Sequence, residues 1–221
     1  MRILAFGAHP DDIEIFMFGT LSIFQEQSNE VFLAIATDGS KGGINPGMKL
    51  ALKRKKETLE ALSDFKNIKF FNFPDGNLST EDKANKNIFE YINDLKPNLI
   101  ITHYKKDYHS DHRALSKIVR DVTSFQYPIL YCDTMMGINF NPNIYINISK
   151  YFDQKEKSIL KHKSQNPKKY VKIAKIMNKF RAAQCNMFDG YCEAFYFKGS
   201  YPFSDIRSLI PNNMIINNHE V

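Results

Sequence analysis

Cysteine is scarce in this chain. Cys132, Cys185 and Cys192 are the only three in 221 residues, and no two of them form a C-x-x-C pair. So odd and sparse a set argues against a disulfide framework. Cys132, in an apolar strand-like context before Asp133, reads as a buried thiol, with thiolate ligation of a metal as the alternative. Long hydrophobic runs are missing too: none approaches the ~20 residues that cross a bilayer. The first residues carry a single Arg2 and a short apolar stretch that leads straight into His9. They lack the basic start, long apolar region and small-residue cleavage site of a signal peptide, so a cytoplasmic protein is expected. Repeats, low-complexity stretches and linkers are absent as well. One domain over residues 1–200 is expected, with 201–221 as a partly flexible extension.

Acidic residues are the minority sign. Thirty Lys and Arg stand against 24 Asp and Glu, a formal net charge of +6. The excess lies in residues 49–56 and 155–179, which read as solvated helix faces. Attraction of an anionic substrate is the sharper alternative. The basic residues do not alternate with aromatics along a strand face and no reading-helix motif stands out, which argues against nucleic acid.

What the sequence does have is alternation. Residues 2–6, 31–36, 68–72 and 99–102 are apolar runs that read as strands. Residues 12–27, 50–64, about 80–95 and 111–123 have helical periodicity. Ser79 or Thr80 is a candidate cap for the third of these helices. Strand and helix in turn predict an α/β fold, Rossmann-like, with a mostly parallel sheet flanked by helices. The part after Pro128 is more irregular and is expected to add an antiparallel edge, at 128–133, 143–148 and 193–198. It also adds two helices, at about 149–163 and 168–186. The polar tail from residue 212 is expected to fray, with His219 idle. The first turn reads Gly7-Ala8-His9-Pro10-Asp11-Asp12. It has no G-x-G-x-x-G, and two carboxylates there would repel a pyrophosphate.

That turn carries chemistry instead. His9 and Asp12, three apart across a turn fixed by Pro10, can bring an imidazole nitrogen and a carboxylate oxygen onto one ion. Asp11 faces elsewhere and is placed to accept a proton from a metal-activated water. The structural alternative is a helix N-cap, with Asp11 or Asp12 satisfying free amides while His9 packs. A second run, His109-Ser110-Asp111-His112, also follows an apolar strand and opens a helix. One of its histidines can bind metal while the other faces substrate, and Asp111 can orient an imidazole. Both runs fall where strands of one open sheet end, which is where such sheets place ligands. Two His and one Asp suit zinc with a position left open for water, and Fe²⁺ or Co²⁺ suits the same donors. Tyr108 is a candidate wall of the substrate pocket, and His103 reads as a satisfied buried histidine.

Ala8-His9-Pro10-Asp11-Asp12-Ile13-Glu14 resembles the AHPDD-x-E signature of the PIG-L/LmbE-type zinc-dependent N-acetylglucosaminyl deacetylases. His109-Ser110-Asp111-His112 resembles that family's H-x-D-H motif. Thr37-Asp38-Gly39, Arg54 with Glu57, His162-Lys163-Ser164-Gln165 and Glu193-Ala194-Phe195 follow in the family's order. The resemblance implies a Rossmann-like domain with one Zn²⁺ held by His9, Asp12 and His112, and Asp11 as general base. It further implies His109 as the group that stabilises the tetrahedral intermediate or protonates the amine, helped by Asp111. Arg54 is implied as a substrate contact. The substrate class it implies is a small N-acetylamino-sugar conjugate, which the basic residues would let be anionic, and members of the family often form homo-oligomers. Two positions depart from its pattern: Phe18 stands in place of a small residue before Gly19-Thr20, and Ser40 in place of an acidic residue after Gly39. A metal amidase on a non-sugar amide and a non-catalytic nucleotide- or sugar-binding module are the competing readings.

Overall fold

The alternating runs close into one eight-stranded mixed sheet in this computed structural model, which describes residues 1–199, 209–211 and 214–216. The strands are β1 (Arg2–Gly7), β2 (Glu30–Thr37), β3 (Asn67–Phe73), β4 (Leu99–Thr102), β5 (Ile129–Cys132), β6 (Ile144–Asn147), β7 (Cys192–Phe197) and β8 (Met214–Ile216). They lie in the order β3-β2-β1-β4-β5-β7-β6-β8. β1 to β5 pair in parallel, and β7, β6 and β8 add an antiparallel edge. The tail does not simply fray. Met214–Ile216 pairs with β6, in register Ile144 with Ile216, because that strand's outer edge offers unpaired backbone groups. The rest of the expected extension, His219 included, lies outside the described residues.

Side chains alternate across the sheet with period two. Leu4, Phe6 and Ile100 pack under α4 (Ala84–Leu95) and α5 (Ser110–Thr123) through Ile88, Ile92, Leu115 and Val119. Ile3, Ala5, Leu33 and Ile101 face the larger core on the opposite side. That core is covered by α1 (Asp12–Phe16), α2 (Phe18–Glu26), α3 (Met48–Ala61), α6 (Phe152–Ile159) and α7 (Pro167–Ala183). None of the described helices is long and apolar enough to cross a membrane.

Three local differences from the sequence expectation have physical causes. The single helix expected over 12–27 breaks at Met17, whose φ is −144°. The break frees amides at the start of α2, and the carboxylate of Glu193 on β7 accepts two of them, from Gly19 (3.0 Å) and Thr20 (2.9 Å). The Glu193 charge is met by Lys155 Nζ at 2.7 Å, with both side chains buried. Gly19 is required by close approach, since a Cβ there would lie 2.6 Å from Ile148. Phe18 turns into the core and meets Phe65 edge to face at 5.8 Å, so the bulky residue fills core space rather than the pocket. Neither Ser79 nor Thr80 caps α4. They form a separate short turn, Thr80 Oγ1 donating to the Asn77 carbonyl, and α4 begins only at Ala84. Ser149 likewise spends its hydroxyl on Asn147 Oδ1 at 2.7 Å, and α6 starts at Phe152 and ends at Ile159.

Candidate active site

The loops that leave the carboxyl ends of β1, β3 and β4 meet at the point where the strand order reverses. In the first, Pro10 sets a tight turn closed by the Asp12 N–H on the His9 carbonyl at 3.3 Å. Asp11 sits at φ 127°, a conformation costly for a residue with a Cβ, which sends its side chain away from that of Asp12. Asp12 faces the imidazoles. Its Oδ2 lies 3.4 Å from His9 Nδ1 and its Oδ1 lies 3.3 Å from His112 Nε2. The fold therefore gathers His9, His112 and also His103, whose Nε2 lies 3.1 Å from Asp12 Oδ2, around this one carboxylate, all of them nearly buried.

Behind each imidazole stands a further carboxylate. Asp111 Oδ2 and Asp75 Oδ1 lie 3.2 and 3.3 Å from His9 Nε2. Asp107 Oδ2 lies 3.1 Å from His112 Nδ1. Sequence reasoning missed Asp75 and Asp107. Asp75 sits in Pro74-Asp75-Gly76-Asn77, which reads only as a turn, and Asp107 precedes the H-x-D-H run with no spacing of its own. Among the described residues three overlapping sets bring donor atoms within 4.8 Å of one another: His9, His109 and His112; Asp12, His103 and His112; and His9, Asp75 and Asp111. The expected trio spans the first two. His103 is less free to ligate, because its Nε2 is 3.1 Å from the Ala8 N–H that it accepts and its ring stacks on His112 at 3.8 Å. Cys132 Sγ is 3.9 Å from His103 Nδ1, and burial holds that thiol far above its ordinary range.

The electrostatics divide the site. Burial works to lower His9, but Asp111, Asp12 and Asp75 outweigh it and raise the imidazole well above its usual pKa. His112 rises to about 9, burial again being outweighed, here by Asp12 and Asp107. Burial works to raise Asp12, yet His112 and His103 hold it well below the carboxylate range. Asp11 goes the other way: burial raises it, opposed by the Arg54 guanidinium. His109 is lowered by burial, with His9 and His112 adding to the effect.

The other expected residues are placed as follows. His109 precedes α5, and its Nδ1 accepts the Asp111 N–H at 3.2 Å. Asp111 thus touches His109 through its backbone. Its carboxylate instead accepts the N–H groups of Gly76 (2.7 Å) and Leu78 (3.2 Å) besides facing His9. Arg54 is 3% exposed, and its donors go to Pro10 O (2.6 Å), Gly39 O (3.0 Å) and Asp11 Oδ1 (3.2 Å). Tyr108 is 53% exposed at the mouth. His162 is buried and its Nε2 meets Glu14 Oε1 at 2.7 Å. Ser164 bonds Glu57 through both its N–H and its hydroxyl, and Gln165 donates to the Gly42 carbonyl. The H-x-S-Q segment thereby ties α6 and α7 to the loop after β2.

His9, Asp11, Asp12, Arg54, Asp75, His109 and His112 line a cleft of about 340 Å³, with Tyr108, Lys41, Met135, Gln165 and Tyr170 also in its wall. A second cavity of about 370 Å³, walled by Tyr104, Tyr131 and Tyr196 beside the end of α5, holds none of them. A cleft with histidines, a shared carboxylate and an adjacent carboxylate of raised pKa can hold a divalent cation and take a proton from water beside it.

Comparison with known proteins agrees. The family model described as PIG-L, GlcNAc-PI de-N-acetylase, matches residues 4–123. Over 189 residues the chain is 26% identical to diacetylchitobiose deacetylase of Thermococcus kodakarensis, covering 75% of this chain and 70% of that one. It is 29% identical over 189 residues to the probable N-acetyl-alpha-D-glucosaminyl L-malate deacetylase 2 of Bacillus cereus, covering 74% and 83%. The structure of N,N'-diacetylchitobiose deacetylase from Pyrococcus horikoshii superposes with a TM-score of 0.80 at 22% identity, over 89% of this chain and 83% of that one.

Proposed function

The chain belongs to the PIG-L (GlcNAc-PI de-N-acetylase) family, and from that premise we propose that it is a zinc-dependent hydrolase that removes the acetyl group from an N-acetylamino-sugar conjugate. The observation that carries the reading is the pairing of Asp12, shared by the imidazoles of His9, His103 and His112, with Asp11, turned away and differently titrating. The chemistry of the donor set suits a divalent ion held by His9, Asp12 and His112: His9 Nδ1 lies 3.4 Å from one Asp12 oxygen and His112 Nε2 lies 3.3 Å from the other, and the far nitrogen of each ring already faces a carboxylate that would fix its tautomer. Both rings carry protons that a cation would replace. When bound, the ion supplies a Lewis acid for the amide carbonyl and acidifies a water.

The chain's own residues supply the rest. Asp11, held through Oδ1 by Arg54, accepts the proton of the attacking water, and its raised pKa makes it a better base than an ordinary aspartate. Because His109 Nδ1 accepts a backbone N–H, its ring proton resides on Nε2. The lowered pKa keeps that imidazole neutral, a hydrogen-bond donor for the oxygen on which charge develops. The water oxygen bonds to the carbonyl carbon, the C–N bond breaks, and Asp11 passes its proton to the departing nitrogen, leaving acetate and a free amine. Arg54, buried in the cleft wall, acts by holding Asp11 and the Pro10 and Gly39 carbonyls, and its place in that wall leaves it beside a bound substrate.

Asp11→Ala tests the assignment. Acetate release from N-acetylglucosamine conjugates should fall by about 10²–10⁴-fold while metal content stays that of the wild type. Undiminished turnover in the metal-loaded variant would defeat the base assignment.

A further inference from the structure

The cleft has two cations in its wall besides the histidines, and they differ in one respect. Arg54 is buried and neutralised by Asp11. Lys41 is exposed on the same cleft, and among the described residues its ammonium forms no ion pair. Its Nζ donates to the neutral amide oxygen Asn77 Oδ1 at 3.3 Å, and lies 3.1 Å from where a Cβ on Gly76 would stand. Its backbone is fixed as well, the Lys41 N–H donating to Asp75 Oδ2 at 2.9 Å. The other oxygen of that carboxylate is 3.3 Å from His9 Nε2. One carboxylate thus separates Lys41 from the metal-binding centre. Ser40, which stands where an acidic residue is usual in the resembling pattern, donates its N–H to Asp38 and brings no charge to offset the ammonium.

We propose that Lys41 is a specificity-determining residue that binds an anionic group, carboxylate or phosphate, on the part of the conjugate beyond the sugar. This rests on the deacetylase reading and narrows its substrate class. An ammonium placed at the mouth with a neutral partner keeps its charge available, and an incoming anion would replace the weak Asn77 contact by a charge-assisted one. The rest of the cleft sharpens that selectivity. Asp11, Asp12 and Asp75 line the cleft, so an anion is admitted only where a cation faces it. Tyr108 and Tyr170 offer the neutral surface for the sugar itself.

The test compares zinc-loaded wild type, Lys41→Gln and Lys41→Arg on three probes: methyl N-acetylglucosaminide, N-acetylglucosamine 1-phosphate and N-acetylglucosaminyl malate. The quantity read is kcat/KM for each anionic probe divided by that for the neutral one. The ratio should exceed one in the wild type and fall about tenfold or more in Lys41→Gln, through KM rather than kcat. Lys41→Arg should restore most of it. The probe that shows the effect identifies the anion as carboxylate or phosphate. A ratio unchanged by Lys41→Gln, with acetate still released, overturns the role of Lys41 and leaves the deacetylase reading standing. Release of acetate from none of the probes overturns both.

Discussion

Asp107 Oδ2 lies 3.1 Å from Nδ1 of His112, on the side of the ring opposite Asp12. If His112 is the metal ligand proposed above, a carboxylate there would fix which nitrogen carries the proton, leave Nε2 for the cation and raise the basicity of the ring. Asp107→Asn keeps the shape and removes the charge. Zinc affinity, read by competition with a chromophoric chelator, should fall about 10–100-fold, while turnover at saturating zinc recovers in large part. An unchanged affinity would show that Asp107 serves only the loop, where it also accepts the His109 N–H at 2.8 Å.

The same histidine sets a pH dependence. In the metal-free protein its pKa is about 9, against 6.5 for an ordinary histidine, burial being outweighed by Asp12 and Asp107. The folded chain therefore holds a proton that the unfolded chain releases. The stabilisation is fully present below about 6.5 and is lost as pH rises through about 9. Thermal melts of chelated protein should move to lower temperature across that window. Zinc competes for the same nitrogen, so its apparent affinity should rise with pH over the same range and its uptake should release protons. Melting that is flat with pH in the metal-free protein would contradict the assignment.

A third expectation concerns the scaffold beneath the site. Glu193 and Lys155 form a buried pair that also caps α2. Glu193→Gln or Lys155→Met alone leaves one charge buried without its partner and should cost about 3–5 kcal/mol in denaturant unfolding. The double variant should cost clearly less than the sum of the two, because neither charge then remains. Additive losses would mean that the pair is not coupled.

Much of this was legible before any coordinates, for identifiable reasons. Parallel strands buried on both faces leave continuous apolar runs such as Ile3 to Phe6, and the loops that end them carry His9, Asp12 and His112 within short, readable motifs. Local motifs also suggested that Asp11 and Asp12 point apart, which the turn and the positive φ of Asp11 now explain. What was not legible depends on contacts far apart in the chain. The amides freed by the break at Met17 are met by a carboxylate 174 residues away from Gly19. Asp75 enters the site because β3 ends beside β2, and no spacing within its own turn announces that. Arg54 is marked only by the family resemblance, as a substrate contact, while its burial against Asp11 is set by packing that the spacing of its own helix does not announce. The position of Lys41 at the mouth is likewise set by Asp75 and Asn77, not by its neighbours in sequence.

The most direct test of the central claim is a paired measurement of zinc content and acetate release from an N-acetylglucosamine conjugate, made on the wild type and on His112→Ala. The account predicts about one zinc per chain with acetate and free amine released in equal amounts, both lost on chelation, both restored by zinc, and both absent in His112→Ala. Acetate release that persists in metal-free protein, or in a His112→Ala protein that holds no metal, would contradict it.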